Sequence, residues 1–167
     1  HTQRMRDYEL FDPRARFCYE ACTSSPRMGH PIDGKGQAYA GVFIDSNGER
    51  LYGERSYVMK VAPNVPAKLF WSMVIYDADT RTLIYTDQKK ATIGSRATPD
   101  LQVNEDGSVY IFVGPEAPQG WESNWVKSIP GKGWFPYIRC YAPTAAWFDG
   151  SYTLPQVEQV DYKDFAK

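Results

Sequence analysis

Histidine is nearly missing from this sequence, with only His1 and His30 in 167 residues. That excludes a three-histidine metal site. It leaves His30, set among proline and glycine, as the one plausible imidazole for a nucleophile pair, with Cys140 or Ser151 as the partner that folding would have to supply. The reading adopted is a solvent-facing loop residue. Cysteine is scarce as well: Cys18, Cys22 and Cys140 are an odd count, which excludes a complete intrachain disulfide framework. Cys18 and Cys22 stand four apart on an expected helix. No second Cys/His pair exists to complete a zinc site, so packing rather than metal is expected of them. A basic excess is absent too, with 19 Lys and Arg against 20 Asp and Glu. Nothing neutralises a phosphate backbone, and nucleic acid is not an expected partner. The longest apolar run, residues 70–76, falls far below the roughly 20 residues of a spanning helix, and the start carries no signal-peptide pattern.

What is present is aromatic surface. Twelve Tyr, eight Phe and five Trp make up 15% of the chain, within 43% hydrophobic residues, which suits strands packing by their broad faces. The length suits one buried core. Asp12 before Pro13 is a helix start, with a capping acceptor and proline at the first helical position, and predicts a helix over residues 13–23. Residues 23–36 turn to Ser, Pro and Gly, a linker. The expected organisation is a helix and linker over 1–35 and a β-sandwich domain over 36–167.

Period two governs the rest. Residues 37–45 read as a strand, Ser46-Asn47-Gly48 as a turn, and 49–52 with 55–61 as the returning segments of a half-buried hairpin. Tyr57, Met59 and Val61 share one face, and Ser56, Val58 and Lys60 the other. Residues 68–77 carry apolar side chains on both faces, which predicts a central strand. Residues 82–86 form a shorter strand. Asn104-Glu105-Asp106-Gly107 supplies turn chemistry before a strand at 108–113. Residues 114–131 read as a long loop holding three prolines and two tryptophans. Residues 134–141 alternate again, and Pro136, which has no N–H to give, places that strand at an edge or a bulge. Residues 147–153 and 157–162 complete roughly eight strands. Short strands separated by turns, with a helix only in front, predict an all-β fold: a jelly-roll-type antiparallel β-sandwich.

Chemistry-bearing groups are few. Asp77-Ala78-Asp79-Thr80 has the Asp-x-Asp spacing that opens haloacid-dehalogenase-type phosphotransferases. Arg81 departs from that motif, and the parallel sheet it needs is not predicted. Asp77 and Asp79 read as turn formers with Arg81 pairing locally. The turns at 45–48 and 104–108 lack the spacing of a calcium loop, so no metal and no cofactor are expected. The candidate binding residues are Trp121, Asn124, Trp125, Trp134 and Arg139, with Asp77 and Arg81 beside them. Exposed rings next to amides and guanidinium groups hold sugars and other planar or amphipathic ligands. The plainer reading is that the tryptophans pack the long loop onto the sheet and that Arg139 is a stacked structural cation.

The segments VPAKLFWSMVIYDADTRTLIYTDQ (65–88), NEDGSVYIFVGPEAP (104–118), ESNW (122–125), PGKGWF (130–135), RCYAP (139–143) and WFDGSY (147–152) strongly resemble the bacterial family catalogued as domain of unknown function 1214. The likeness covers about residues 34–160, and Pro26-Arg27-Met28 is similar to the segment preceding that domain. The resemblance implies a β-sandwich, a periplasmic or secreted setting, and a place C-terminal to domain of unknown function 1254. It implies no catalytic residues. Cys140, where the family usually has an aliphatic residue, and Lys127-Ser128 depart from its pattern.

Three functions are compatible with these observations. The first is a non-catalytic ligand-binding or assembly module of an envelope or secreted protein, taking a small molecule or glycan through the 121–134 loop. The second is a hydrolase-like enzyme on an amphipathic or sugar-containing substrate, with Asp77, Asp79, Arg81 and Arg139 as its polar participants. The third is a structural domain burying apolar surface against an N-terminal domain of the same protein or in a homo-oligomer.

Overall fold

The computed structural model describes residues 31–165. The helix expected at 13–23, with Cys18, Cys22 and His30, lies outside the described residues. The chain divides into two units between Pro31 and Ile32, and all that follows concerns the second.

Its strands are β1 (Gln37–Gly41), β2 (Tyr57–Val61), β3 (Ala67–Asp77), β4 (Thr92–Gly94), β5 (Val109–Gly114), β6 (Trp125–Lys127), β7 (Trp134–Pro143) and β8 (Val157–Gln159). They form two four-stranded sheets, ordered β1-β7-β3-β4 and β6-β5-β2-β8. The inner faces share one core: Tyr57, Met59 and Val61 of β2 and Ile111 and Val113 of β5 meet Met73 and Ile75 of β3 and Ile138 and Cys140 of β7. Each fully buried aliphatic side chain contributes about 1.5–3 kcal/mol over its exposed state. The fold is a β-sandwich, as period two predicts.

Several elements differ from the sequence expectation. No hairpin joins 37–45 to 55–61. The Ser46-Asn47-Gly48 turn does form, with the Asp45 carboxylate accepting the Asn47 and Glu49 N–H groups at 2.9 Å. Pairing stops at the Ile44–Arg50 bridge, and the chain then crosses to the other sheet, so β1 pairs with β7 while β2 lies between β5 and β8. Residues 82–86 make only the bridge from Leu83 to Tyr76, because β4 takes the free edge of β3 through Ser72–Gly94, Met73–Ile93 and Val74–Thr92. Trp147 lies not in a strand but in the short helix α1 (Ala145–Phe148). Strand structure at the C-terminal end is confined to β8, followed by a 3-10 turn at Tyr162–Phe165. Leu69 is 71% exposed, since the ladder of β3 slips between Ala67 and Phe70.

β7 is not an edge strand despite Pro136. Its partner across β3 is Ile75, whose N–H goes to Ala91 and whose carbonyl accepts from Ile84, both away from β7. Pro136 therefore directs its backbone toward β1. There the named ladder has ended at Gly41–Tyr137, and Val42 donates to the Pro136 carbonyl at 3.2 Å. A missing N–H leaves no gap at that position.

The 114–131 segment is more ordered than a loop. It holds a 3-10 turn at Glu122–Asn124 and then β6, which runs parallel to β5, the one departure from antiparallel pairing among the described strands. The outer edge of β6 is met by a side chain. Gln88 donates its amide N–H to the Trp125 carbonyl at 3.1 Å and accepts the Lys127 N–H at 2.8 Å.

Where the chain returns along 51–53, Gly53 passes so close to the 128–132 segment that an added Cβ would stand 2.0 Å from the Ile129 carbonyl oxygen. Backbone, not a yielding side chain, occupies that space. Gly53→Ala is expected to destabilise by about 3 kcal/mol, the upper end of ordinary overpacking, and to lower the melting temperature by roughly 6–12 °C in a circular-dichroism melt.

Candidate functional site

The tryptophan set does not form one exposed platform. Trp121 is buried with Val58 and Phe112 on the outer face of the second sheet. Its indole N–H reaches the Phe165 carbonyl at 2.9 Å, and Tyr162 and Phe165 stand edge-on to Phe112. This face is thus sealed by the chain's own 3-10 turns. Asn124 is fully buried, and both ends of its amide are engaged: Oδ1 accepts the Gln102 N–H at 2.9 Å, and Nδ2 donates to the Gln102 and Tyr110 carbonyls at 2.8 Å. Trp125 is half-buried, with its indole N–H on the Gly114 carbonyl. Trp134 lies in the central core, edge-on to Tyr57, and its buried indole N–H has no acceptor among the described residues. These side chains hold segments together, and none offers a ring face beside Arg139.

Asp77 ends β3 as a turn former. One carboxylate oxygen accepts the Asp79 and Thr80 N–H groups at 2.8 and 3.0 Å, and the other accepts from the Lys132 ammonium at 2.9 Å. Burial pushes this carboxyl up. The Lys132 bond and the turn amides outweigh it and hold the group below the ordinary carboxylate range. That is opposite to the raised carboxyl a general acid needs. Arg81, at φ 62°, gives its backbone N–H to the Asp77 carbonyl at 3.0 Å, while its guanidinium makes no ion pair with these aspartates and lies over the Phe135 ring, 5.3 Å from its centroid. Cys140 sits in the core, where burial pushes its thiol up to about 12, so it holds no thiolate at neutral pH.

The outer face of the first sheet is built differently. Alternation along β3 and β7 turns Phe70, Ser72, Val74 and Tyr76 outward opposite Tyr141, Arg139, Tyr137 and Phe135. Phe70 stacks on Tyr141 at 3.9 Å and Tyr76 on Phe135 at 5.4 Å. Guanidinium groups complete both stacks. Arg96 lies over Phe70 at 5.6 Å, and Arg139 lies over Tyr39 and Tyr76 while donating to the Tyr76 hydroxyl. Arg81, Arg96 and Arg139 have no carboxylate partner among the described residues. A groove of about 330 Å³ opens between β3, β4 and β7, with Arg96, Arg139, Leu83 and the hydroxyl-bearing Ser72, Thr92 and Tyr141 in its lining. No carboxylate lines it.

Of the sequence-predicted residues, Arg139 alone lines this groove, and Arg81 lies elsewhere on the same face. Arg96 carries no signal in the sequence, because only the antiparallel return of β4 along β3 folds it over Phe70. Among the described residues no cluster of His, Cys, Asp or Glu could hold a metal. No helix among them is long and apolar enough to cross a membrane.

The family described as "Protein of unknown function (DUF1214)" matches residues 36–145. The chain belongs to this family. The DUF1214 match includes every residue of the groove and stops short of Tyr162 and Phe165, which cover the other sheet. The crystal structure of the VPA0106 protein from Vibrio parahaemolyticus is similar over 88% of this chain, at 26% identity and a TM-score of 0.67. That of an uncharacterized protein from Burkholderia cenocepacia is similar over 78% of it, at 16% identity and a TM-score of 0.46. The chain spans 34% and 32% of those two proteins, about a third of each. No curated protein matches the chain.

Two expectations follow for this DUF1214 domain. The carboxyl of Asp77 is depressed in the folded state, so its stabilisation is complete above the unfolded value near ~3.9 and is lost as pH falls through the lower folded value. Asp77→Asn should therefore flatten the acid limb of the stability curve below about pH 4, measured by urea unfolding at stepped pH. Asn124→Ala removes four hydrogen bonds of a buried amide and should cost roughly 2–4 kcal/mol in the same assay.

Proposed function

We propose that this chain is a non-catalytic binding module whose ligand lies on the outer face of the first sheet, in the groove between β3, β4 and β7. One observation carries this reading. Arg96 and Arg139 are held by ring stacking and not by carboxylates, so their charge is positioned and left uncompensated beside an apolar wall. The opposite sheet supports it by contrast, since its outer face is covered by Trp121, Tyr162 and Phe165. The hydrolase reading has less support: Asp77 is engaged by Lys132 and turn amides, and no carboxylate shares the groove with Arg139.

In this reading the domain serves a longer bacterial protein of the envelope or a secreted one, following a domain of unknown function 1254, with jelly-roll wrapping of its strands. An N-terminal domain or a second copy is its structural partner. The contact surface in this reading is the face bearing Arg139, not the 121–134 loop.

A thermal-shift panel of organic anions, phosphate compounds, glycans, surfactants and divalent ions tests it. A ligand at one hundred times its Kd stabilises by about 2.7 kcal/mol, which moves the midpoint by roughly 5–11 °C. The expected result is a saturable rise for one organic class that is lost in Arg96→Gln, a change at an exposed side chain. Shifts that survive this change and vanish in Trp125→Ala would return the site to the 121–134 loop.

A further inference from the structure

We infer that the groove takes a small amphipathic carboxylate, its anionic head drawn by the positive lining that Arg96 and Arg139 give the groove and its flat or short apolar body along the sheet; this rests on the binding-module reading above. The spacing comes from the strand itself. Arg96 lies over Phe70, while Arg139, whose backbone pairs with Ser72, reaches along the face to lie over Tyr39 and Tyr76. The two guanidinium groups thus stand at different places along β3, with Ser72 and Val74 as the outward positions between Phe70 and Tyr76, and both line the groove. Stacking engages the planes of the two groups and leaves N–H donors at their edges, of which Arg139 gives one to the Tyr76 hydroxyl, and such edges grip a carboxylate in a fork.

The remainder of the groove argues for an apolar body and against a bare anion. Val74, Leu83 and Ala97 contribute hydrocarbon, and the Phe70–Tyr141 stack supplies a ring edge. The Ser72, Thr92 and Tyr141 hydroxyls are the uncharged polar side-chain groups of the lining. Inorganic phosphate would leave this wall uncovered. A sugar bisphosphate would bring more charge than two guanidinium groups balance. The volume of about 330 Å³ lies at the small end of small-molecule sites, which suits a compact acid with one ring or a short chain. The groove also lacks a carboxylate that would repel such a head.

The experiment titrates the full chain with 3-phenylpropionate, its primary amide and inorganic phosphate, and reads amide chemical shifts at Ser72 and Thr92. The expected result is that 3-phenylpropionate binds at least tenfold more tightly than the amide. Arg96→Gln should remove that preference while the spectrum elsewhere stays unchanged, since Arg96 is exposed. Arg139→Lys, which keeps the charge and loses the fork, should weaken the acid severalfold. An amide that binds as tightly as the acid overturns the carboxylate assignment and leaves the binding module standing. Phosphate competing as well as 3-phenylpropionate overturns the amphipathic assignment in the same way. No shift at Ser72 or Thr92 with any of the three overturns the inference, and if the wider ligand panel also leaves the melting midpoint in place, the binding reading falls with it.

Discussion

The register of β3 against β7 is the constraint on which both faces of the first sheet depend. Side chains alternate across a strand, so pairing Ser72 with Arg139 and Phe70 with Tyr141 fixes what faces outward. The same register sends Trp71, Met73 and Ile75 inward with Ile138 and Cys140. A slip of one residue would exchange the two sets, placing Arg139 in the core and Ile138 in water. Apolar burial on the inside therefore enforces the positions of the guanidinium groups on the outside. β4 inherits the arrangement, since its three pairs with β3 deliver Arg96 to Phe70.

Sequence pattern was most informative where a strand has one buried face. The Tyr57, Met59, Val61 alternation and the Asp-Gly turn before β5 stand where the sequence predicts them. So does β3, which lies inside its sheet between β7 and β4. Pairing was far less legible, because alternation says which way a side chain points and nothing about which strand lies alongside. The two halves of the expected hairpin went to different sheets for that reason. β6 left no mark because a three-residue strand paired in parallel has neither a local turn nor a long alternation. β4 was equally hidden, with Ile93 as its single buried aliphatic.

Tryptophan is ambiguous in a sequence for a physical reason. Three of these rings near polar groups suggest a ligand platform, yet an indole needs one acceptor and a large apolar enclosure, and a folding chain can provide both, as the packing reading of the loop expects. Trp121 and Trp125 find theirs in the Phe165 and Gly114 carbonyls. The guanidinium groups are the better guide, because ring stacking alone leaves most of their donors unanswered. Arg139 was legible as one of them from its place among Phe135, Tyr137 and Tyr141. The second, Arg96, needed the fold.

Gln88 has a bearing on how copies of this domain meet. An outermost strand normally offers a row of unpaired backbone groups, an invitation to any other extended chain. On β6 that invitation is already answered, since the Gln88 side chain supplies one donor and one acceptor in the manner of a neighbouring peptide unit. Lys90 adds a third contact through the Ser123 carbonyl at 2.6 Å. Strand-to-strand polymerisation through this border would first have to displace a bound mimic, so crowded chains are steered away from fibrous growth at that end of the sandwich.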